Sequence, residues 1–94
     1  MYLTYNAPHY GKRPEGNFLQ TPPGYPNLPE KSKDSRDVYR AMVENLDRGI
    51  GKVLSTLKRL DLEKDTIVIF LSDNGGSYAY GGSNKPYRGG KGGL

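Results

Sequence analysis

The chain contains no cysteine, which excludes a disulfide framework and a thiolate metal site while leaving the compartment open. It also lacks any apolar run approaching the roughly 20 residues of a membrane-spanning helix. The most apolar stretch is Thr66-Ile67-Val68-Ile69-Phe70-Leu71. The opening Met1-Tyr2-Leu3-Thr4 does not show the basic-then-apolar order of a signal peptide, so no membrane partner is expected and the localisation is left open. Histidine occurs once, at His9. With one histidine, scattered serines and no thiol, no nucleophilic triad is defined. Apolar residues are scarce between positions 11 and 34, where only Phe18, Leu19, Tyr25 and Leu28 accompany Pro14, Pro22, Pro23, Pro26 and Pro29.

What is present is unevenly placed. The 94 residues allow at most one small domain. Most of the apolar content lies between Val38 and Leu71, so one helix and one or two strands must supply the core. The formal charge is +4, but bases alternate with acids along the chain, as on an ordinary solvated surface.

Residues 2–6 (Tyr-Leu-Thr-Tyr-Asn) are β-prone and end at Ala7-Pro8, where proline stops a paired strand. Residues 11–34 read as a loop without regular structure, a length that is usually functional or disordered. A helix is predicted over 35–60, because Val38, Met42, Leu46, Ile50, Val53, Leu57 and Leu60 recur at steps of three or four. Asp34 or Ser35 is placed to cap its start, and Lys58-Arg59 sit at the negative end of its dipole. Gly49 and Gly51 each cost about 1 kcal/mol there relative to alanine. Residues 66–71 read as a strand buried on both faces of a parallel sheet. Strand, helix and strand in that order predict an α/β fold built on one right-handed βαβ unit, followed by a metal and anion loop over 72–94. One amphipathic helix covers only one face of such a sheet, which suggests part of something larger and a marginally stable chain with an exposed apolar face.

The chemistry concentrates at strand ends. His9 follows the first strand and Asp73-Asn74 follow the second, so parallel strands would bring all three to one edge, where open α/β sheets hold their sites. Asp and Asn oxygens suit a hard cation such as calcium, although two fall short of the six to eight such an ion takes. Each has a plainer reading: a loop histidine is often a surface residue, and Asp-Asn-Gly-Gly is itself a turn signal. The segment Arg88-Gly89-Gly90-Lys91-Gly92 invites three readings. It is a flexible end, an RGG-like nucleic-acid arm with Tyr78, Tyr80 and Tyr87 for stacking, or an anion loop whose lysine neutralises sulfate or phosphate. A single Arg-Gly-Gly is a weak nucleic-acid signal, which ranks that reading below the anion loop.

Tyr5-Asn6-Ala7-Pro8-His9, the helix beginning Tyr39-Arg40-Ala41-Met42, the run 66–76 and Asn84-Lys85-Pro86-Tyr87-Arg88-Gly89-Gly90-Lys91-Gly92 together resemble, in order, the central part of the arylsulfatase family. The resemblance implies a partial alkaline-phosphatase-like α/β fold over 1–94 and a calcium-dependent hydrolysis of sulfate esters by a formylglycine nucleophile. It implies that Asp73 and Asn74 are calcium ligands. It also implies that His9 contacts the ester and assists the leaving oxygen, and that Lys91 binds a sulfate oxygen. Charge developing on sulfate and leaving oxygen calls for groups of this kind.

The departures from the family shape the expectation. Formylglycine arises from Cys or Ser in a C/S-x-P-S/T-R motif, and the nearest stretch here, Ser83-Asn84-Lys85-Pro86-Tyr87-Arg88, has the wrong spacing. The chain alone is therefore expected to be inactive, with weak calcium affinity. The alternatives are a phosphoryl or phosphonate hydrolase of the same superfamily, and a small basic nucleic-acid-binding module.

Overall fold

The computed structural model describes residues 1–14, 16–32 and 36–93. Its best-formed element is the helix α1 (Arg36–Arg59), as the apolar period requires. The capping expectation at Asp34 or Ser35 lies outside the described residues. The C-terminus closes through a left-handed residue: Asp61 has φ 54°. Its N–H donates to Lys58 O and the Leu62 N–H to Leu57 O, both at 3.0 Å. These two bonds satisfy carbonyls that the last helical turn leaves without partners.

Gly51 lies in the helix with open space around a built Cβ, so its only contribution there is backbone entropy. Gly51→Ala is expected to raise stability by about 0.5–1 kcal/mol, read as a higher midpoint in urea with an unchanged slope. Gly49 differs, since a Cβ there would meet the Tyr5 ring at 3.3 Å. A close approach therefore exists at Gly49 and not at Gly51.

The segment 11–34, read from sequence as irregular, instead carries a three-stranded antiparallel sheet: β1 (Gly11–Arg13), β2 (Gly16–Gln20) and β3 (Lys31–Ser32), in that order. Gly11 pairs with Phe18, and Leu19 with Ser32. The Phe18 ring covers Gly11 so closely that a Cβ there would lie 2.5 Å from it, an aromatic filling the gap a strand glycine leaves. The neighbouring residue Leu19 points the other way and packs on α1. Leu19, Val38 and Met42 form the core, with Ala7, Tyr10, Leu28, Tyr39 and Tyr80 against it. The connection between β2 and β3 is clasped to the helix by Tyr25. Its hydroxyl donates to Glu44 Oε2 at 2.7 Å, and Arg48 donates to the same hydroxyl. The bond to the Glu44 carboxylate raises the Tyr25 phenol above its ordinary pKa.

The expected βαβ ladder is not formed among the described residues. Residues 2–6 and 66–71 belong to no sheet there. A ladder needs a neighbouring strand to take its N–H and C=O groups, and the only sheet here is the local one over 11–32. Ile67, Ile69 and Leu71 are 90%, 75% and 82% exposed, and Val68 and Phe70 are 54% and 69% exposed. Both faces of this run are therefore open, not one, because α1 packs its buried Val38 and Met42 on Leu19 of the local sheet. Among the described residues no helix is long and apolar enough to cross a membrane.

Candidate functional site

His9 is presented by a tight turn over Asn6-Ala7-Pro8-His9, closed by the His9 N–H donating to Asn6 O at 2.8 Å. Its ring Nδ1 lies 2.9 Å from the Tyr10 carbonyl. A carbonyl oxygen only accepts, so Nδ1 carries a proton and, in the neutral ring, Nε2 presents its lone pair. Lys91 Nζ sits 3.3 Å from that Nε2, across a separation of 82 residues. The ammonium only donates, so Lys91 gives the bond and His9 receives it.

The glycine-rich segment that carries Lys91 is folded rather than loose. Gly76 N–H donates to Asn84 Oδ1 at 2.9 Å, and Lys91 N–H donates to Gly76 O at 3.1 Å. The Gly82 N–H donates to Ser77 O at 2.9 Å, and the Tyr78 hydroxyl donates to Gly89 O. These strands of backbone approach so closely that side chains are excluded. A Cβ at Gly82 would lie 2.7 Å from Ser77 N, and one at Gly90 would lie 2.6 Å from the Tyr78 ring and 2.9 Å from Gly76 O. The flexible-end reading of this segment therefore gives way to a loop anchored at Gly90 and packed against Gly75, Gly76 and Gly82, while Gly92 and Gly93 meet open space.

The turn and the loop enclose one cleft of about 310 Å³, lined among others by His9, Tyr39, Asp73, Asn74 and Lys91. The four residues singled out from sequence thus share one cavity. Burial raises the Tyr39 phenol above its ordinary pKa. Asp73 and Asn74 lie on the exposed stretch directly after 66–71. Asn74 Nδ2 donates to Gly75 O at 2.8 Å, which leaves Oδ1 as the acceptor of that amide. The donor types fit a hard cation, but two oxygens are far from its shell. Among the described residues no three His, Cys, Asp or Glu side chains gather into a metal-binding group. The residues present do not by themselves make a calcium site.

Sequence reasoning missed Tyr10, Tyr39, Tyr80 and Asn84 as members of this region. Asn84 and Tyr39 stood inside motifs and Tyr80 among the stacking tyrosines, but none as a site residue. The tyrosines reach the cleft through folding of segments far apart in the chain, which no local pattern encodes.

The sequence model of the Sulfatase family matches residues 1–94. Arylsulfatase J of Mus musculus is 36% identical over 92 residues, covering 98% of this chain and 14% of that protein. The uncharacterized sulfatase YdeN of Escherichia coli K12 is 34% identical over 92 residues, covering 94% of this chain and 16% of YdeN. N-acetylgalactosamine-6-sulfatase of Canis lupus familiaris is 37% identical over 73 residues, covering 73% and 14%. No solved structure gives a significant match.

Proposed function

The chain belongs to the sulfatase family, and on that premise we propose that its cleft is the anion-handling edge of a sulfate-ester hydrolase. The chain spans about one seventh of the length of the curated relatives it matches, and it supplies part of the machinery. Its α/β architecture, one helix on a three-stranded antiparallel sheet, is compatible with a piece of an alkaline-phosphatase-like domain. The single observation that carries the reading is the Lys91–His9 pair at 3.3 Å, facing Asp73 and Asn74 across one cleft.

In this reading the Lys91 ammonium binds a sulfate oxygen and lowers the charge that builds on it. His9 Nε2 stands at the ester oxygen. With Nδ1 committed to the Tyr10 carbonyl, Nε2 donates to a departing alkoxide only when it too carries a proton, and otherwise it accepts one. An anion entering the cleft replaces the Lys91–His9 contact with two contacts to itself. Asp73 and Asn74 would contribute two oxygen ligands to a calcium site that needs further donors; when bound, the ion would supply positive charge next to the sulfate. This reading assigns the chain no nucleophile, because it has no cysteine and none of its serines begins an S-x-P-S/T-R motif.

The names of the relatives favour sulfate over phosphoryl or phosphonate esters. The packing of Gly75, Gly76, Gly82 and Gly90 favours an anion loop over a nucleic-acid arm of loose backbone. All four site residues are exposed, and surface ion contacts contribute only about 0–1 kcal/mol each. Sulfate binding is therefore expected to be weak, with a Kd of about tens of millimolar or above. The test is to follow the His9 ring resonances as sodium sulfate is added at constant ionic strength, with chloride as the control. Sulfate should shift them saturably, and Lys91→Ala should remove the saturation. An equal response to chloride would sink the assignment. An aryl sulfate incubated with the pure chain should release no phenol, and release at a rate proportional to chain concentration would show that the chain carries its own nucleophile.

A further inference from the structure

Behind the His9–Lys91 pair lies an aromatic arrangement that neither the family match nor the site reading accounts for. The His9 and Tyr10 rings have centroids 4.3 Å apart and are tilted by 30°. Tyr10 in turn faces Tyr80, with centroids 4.7 Å apart and a tilt of 31°. Lys91 Nζ lies 5.9 Å from the centroid of the same Tyr10 ring, within the range of a cation–π contact. Tyr10 therefore touches both members of the pair. The far end of the arrangement is tied to the sheet, since Asn17 Nδ2 in β2 donates to the Tyr80 hydroxyl at 2.9 Å across 63 residues. Tyr10 and Tyr80 both pack on the Leu19, Val38 and Met42 core.

We propose that Tyr10 and Tyr80 are positioning residues for His9 and Lys91, and that Asn17 holds Tyr80 in place from the sheet. The proposal rests on the reading of His9 and Lys91 as the pair that handles the anion. His9 is an exposed side chain, and an exposed imidazole ordinarily samples several rotamers and both neutral tautomers. Here one ring face is taken by Tyr10 and one nitrogen by the Tyr10 carbonyl, which fixes both choices. Tyr10 is itself held between His9 and Tyr80. Simple filling of the core would need only the ring of Tyr80. Its hydroxyl bond to Asn17 instead sets the rotation of that ring, and with it the surface that Tyr10 rests on.

Because His9 is the only histidine, its two nitrogens give the only imidazole signals, and nitrogen-15 spectra of the whole chain read its tautomer directly. Measured at about pH 9, above the usual imidazole range, the wild-type ring should be mostly the Nδ1–H form. Tyr80→Leu should shift it to the mixture of a free imidazole, and Tyr80→Phe and Asn17→Ala should shift it part of the way. The methyl signals of Leu19 and Val38 should stay where they are in Tyr80→Phe and Asn17→Ala. Three results would overturn the proposal: a free-imidazole mixture already in the wild type, whether or not its core is formed; His9 nitrogens unmoved by all three substitutions; or His9 moving in Tyr80→Phe and Asn17→Ala only together with the Leu19 and Val38 methyls. None of these readings needs sulfate. A chain whose tautomer behaves as described but ignores sulfate would refute the functional assignment and leave the positioning role intact.

Discussion

Leu19→Ala is expected to abolish the tertiary structure of this chain. Leu19 and Val38 are fully buried, Ala41 and Met42 nearly so, and among the described residues these four are all that is buried of the apolar side chains. Leu19 joins the local sheet to α1, so it is the residue through which the two layers hold each other. Removing its isobutyl group loses the transfer free energy and leaves a cavity, which together cost about 3–5 kcal/mol at well-packed sites. A domain of this size with so small a core has a total stability of about the same magnitude or less. The substitution therefore takes the folding free energy to zero or beyond. The check is near-ultraviolet circular dichroism of the tyrosines together with the thermal transition. Both should vanish while part of the far-ultraviolet helix signal persists, since the 24-residue α1 retains some helicity alone. A variant that melts within a few degrees of the parent would place the core elsewhere.

Gly82→Ala should have the second-largest effect, and it should fall on the site rather than on the helix. Gly82 is buried, and its missing side chain would lie 2.7 Å from Ser77 N and 2.9 Å from Ser77 O. Those atoms are backbone, so no rotamer change relieves the clash and the loop itself must open. Opening breaks the Gly82–Ser77 bond and disturbs the neighbouring Gly76–Asn84 bond. Gly76 O is also the acceptor for the Lys91 N–H, so the lysine loses its anchor. Overpacking of this kind costs about 1–3 kcal/mol. The expected result is an unchanged helix signal with loss of the saturable sulfate response at His9. The loss should match that of Lys91→Ala, because both act by removing the same ammonium from the same place. Retention of the parental sulfate response would mean that Lys91 does not depend on the packed glycines.

The helix was legible in the sequence because seven apolar residues at steps of three and four leave no other periodic structure. The strand expected over 66–71 is not formed here and the run is exposed, because a strand is completed by a neighbour and the neighbour is not encoded in the strand. Residues 11–34 failed in the other direction. Prolines and glycines punctuate that stretch, and Asn17-Phe18-Leu19-Gln20 sets two apolar residues side by side with no alternation to mark a strand. Cross-strand pairing and the Phe18 ring over Gly11 are what make it a sheet.

For the site, the sequence alone determined which groups have the right chemistry: one histidine after a proline turn, adjacent oxygen donors after an apolar run, and a lysine among glycines. These follow from residue type and local order, which are written in the chain directly. Only the tertiary structure decided that His9 and Lys91 lie 3.3 Å apart, that Gly75, Gly76, Gly82 and Gly90 are packed, and that Tyr10 and Tyr80 stand behind the pair. Those facts depend on side chains more than sixty positions apart meeting, and on glycine backbone within 75–90 packing at distances a side chain would forbid. Sequence spacing carries no information on such meetings until the fold makes them.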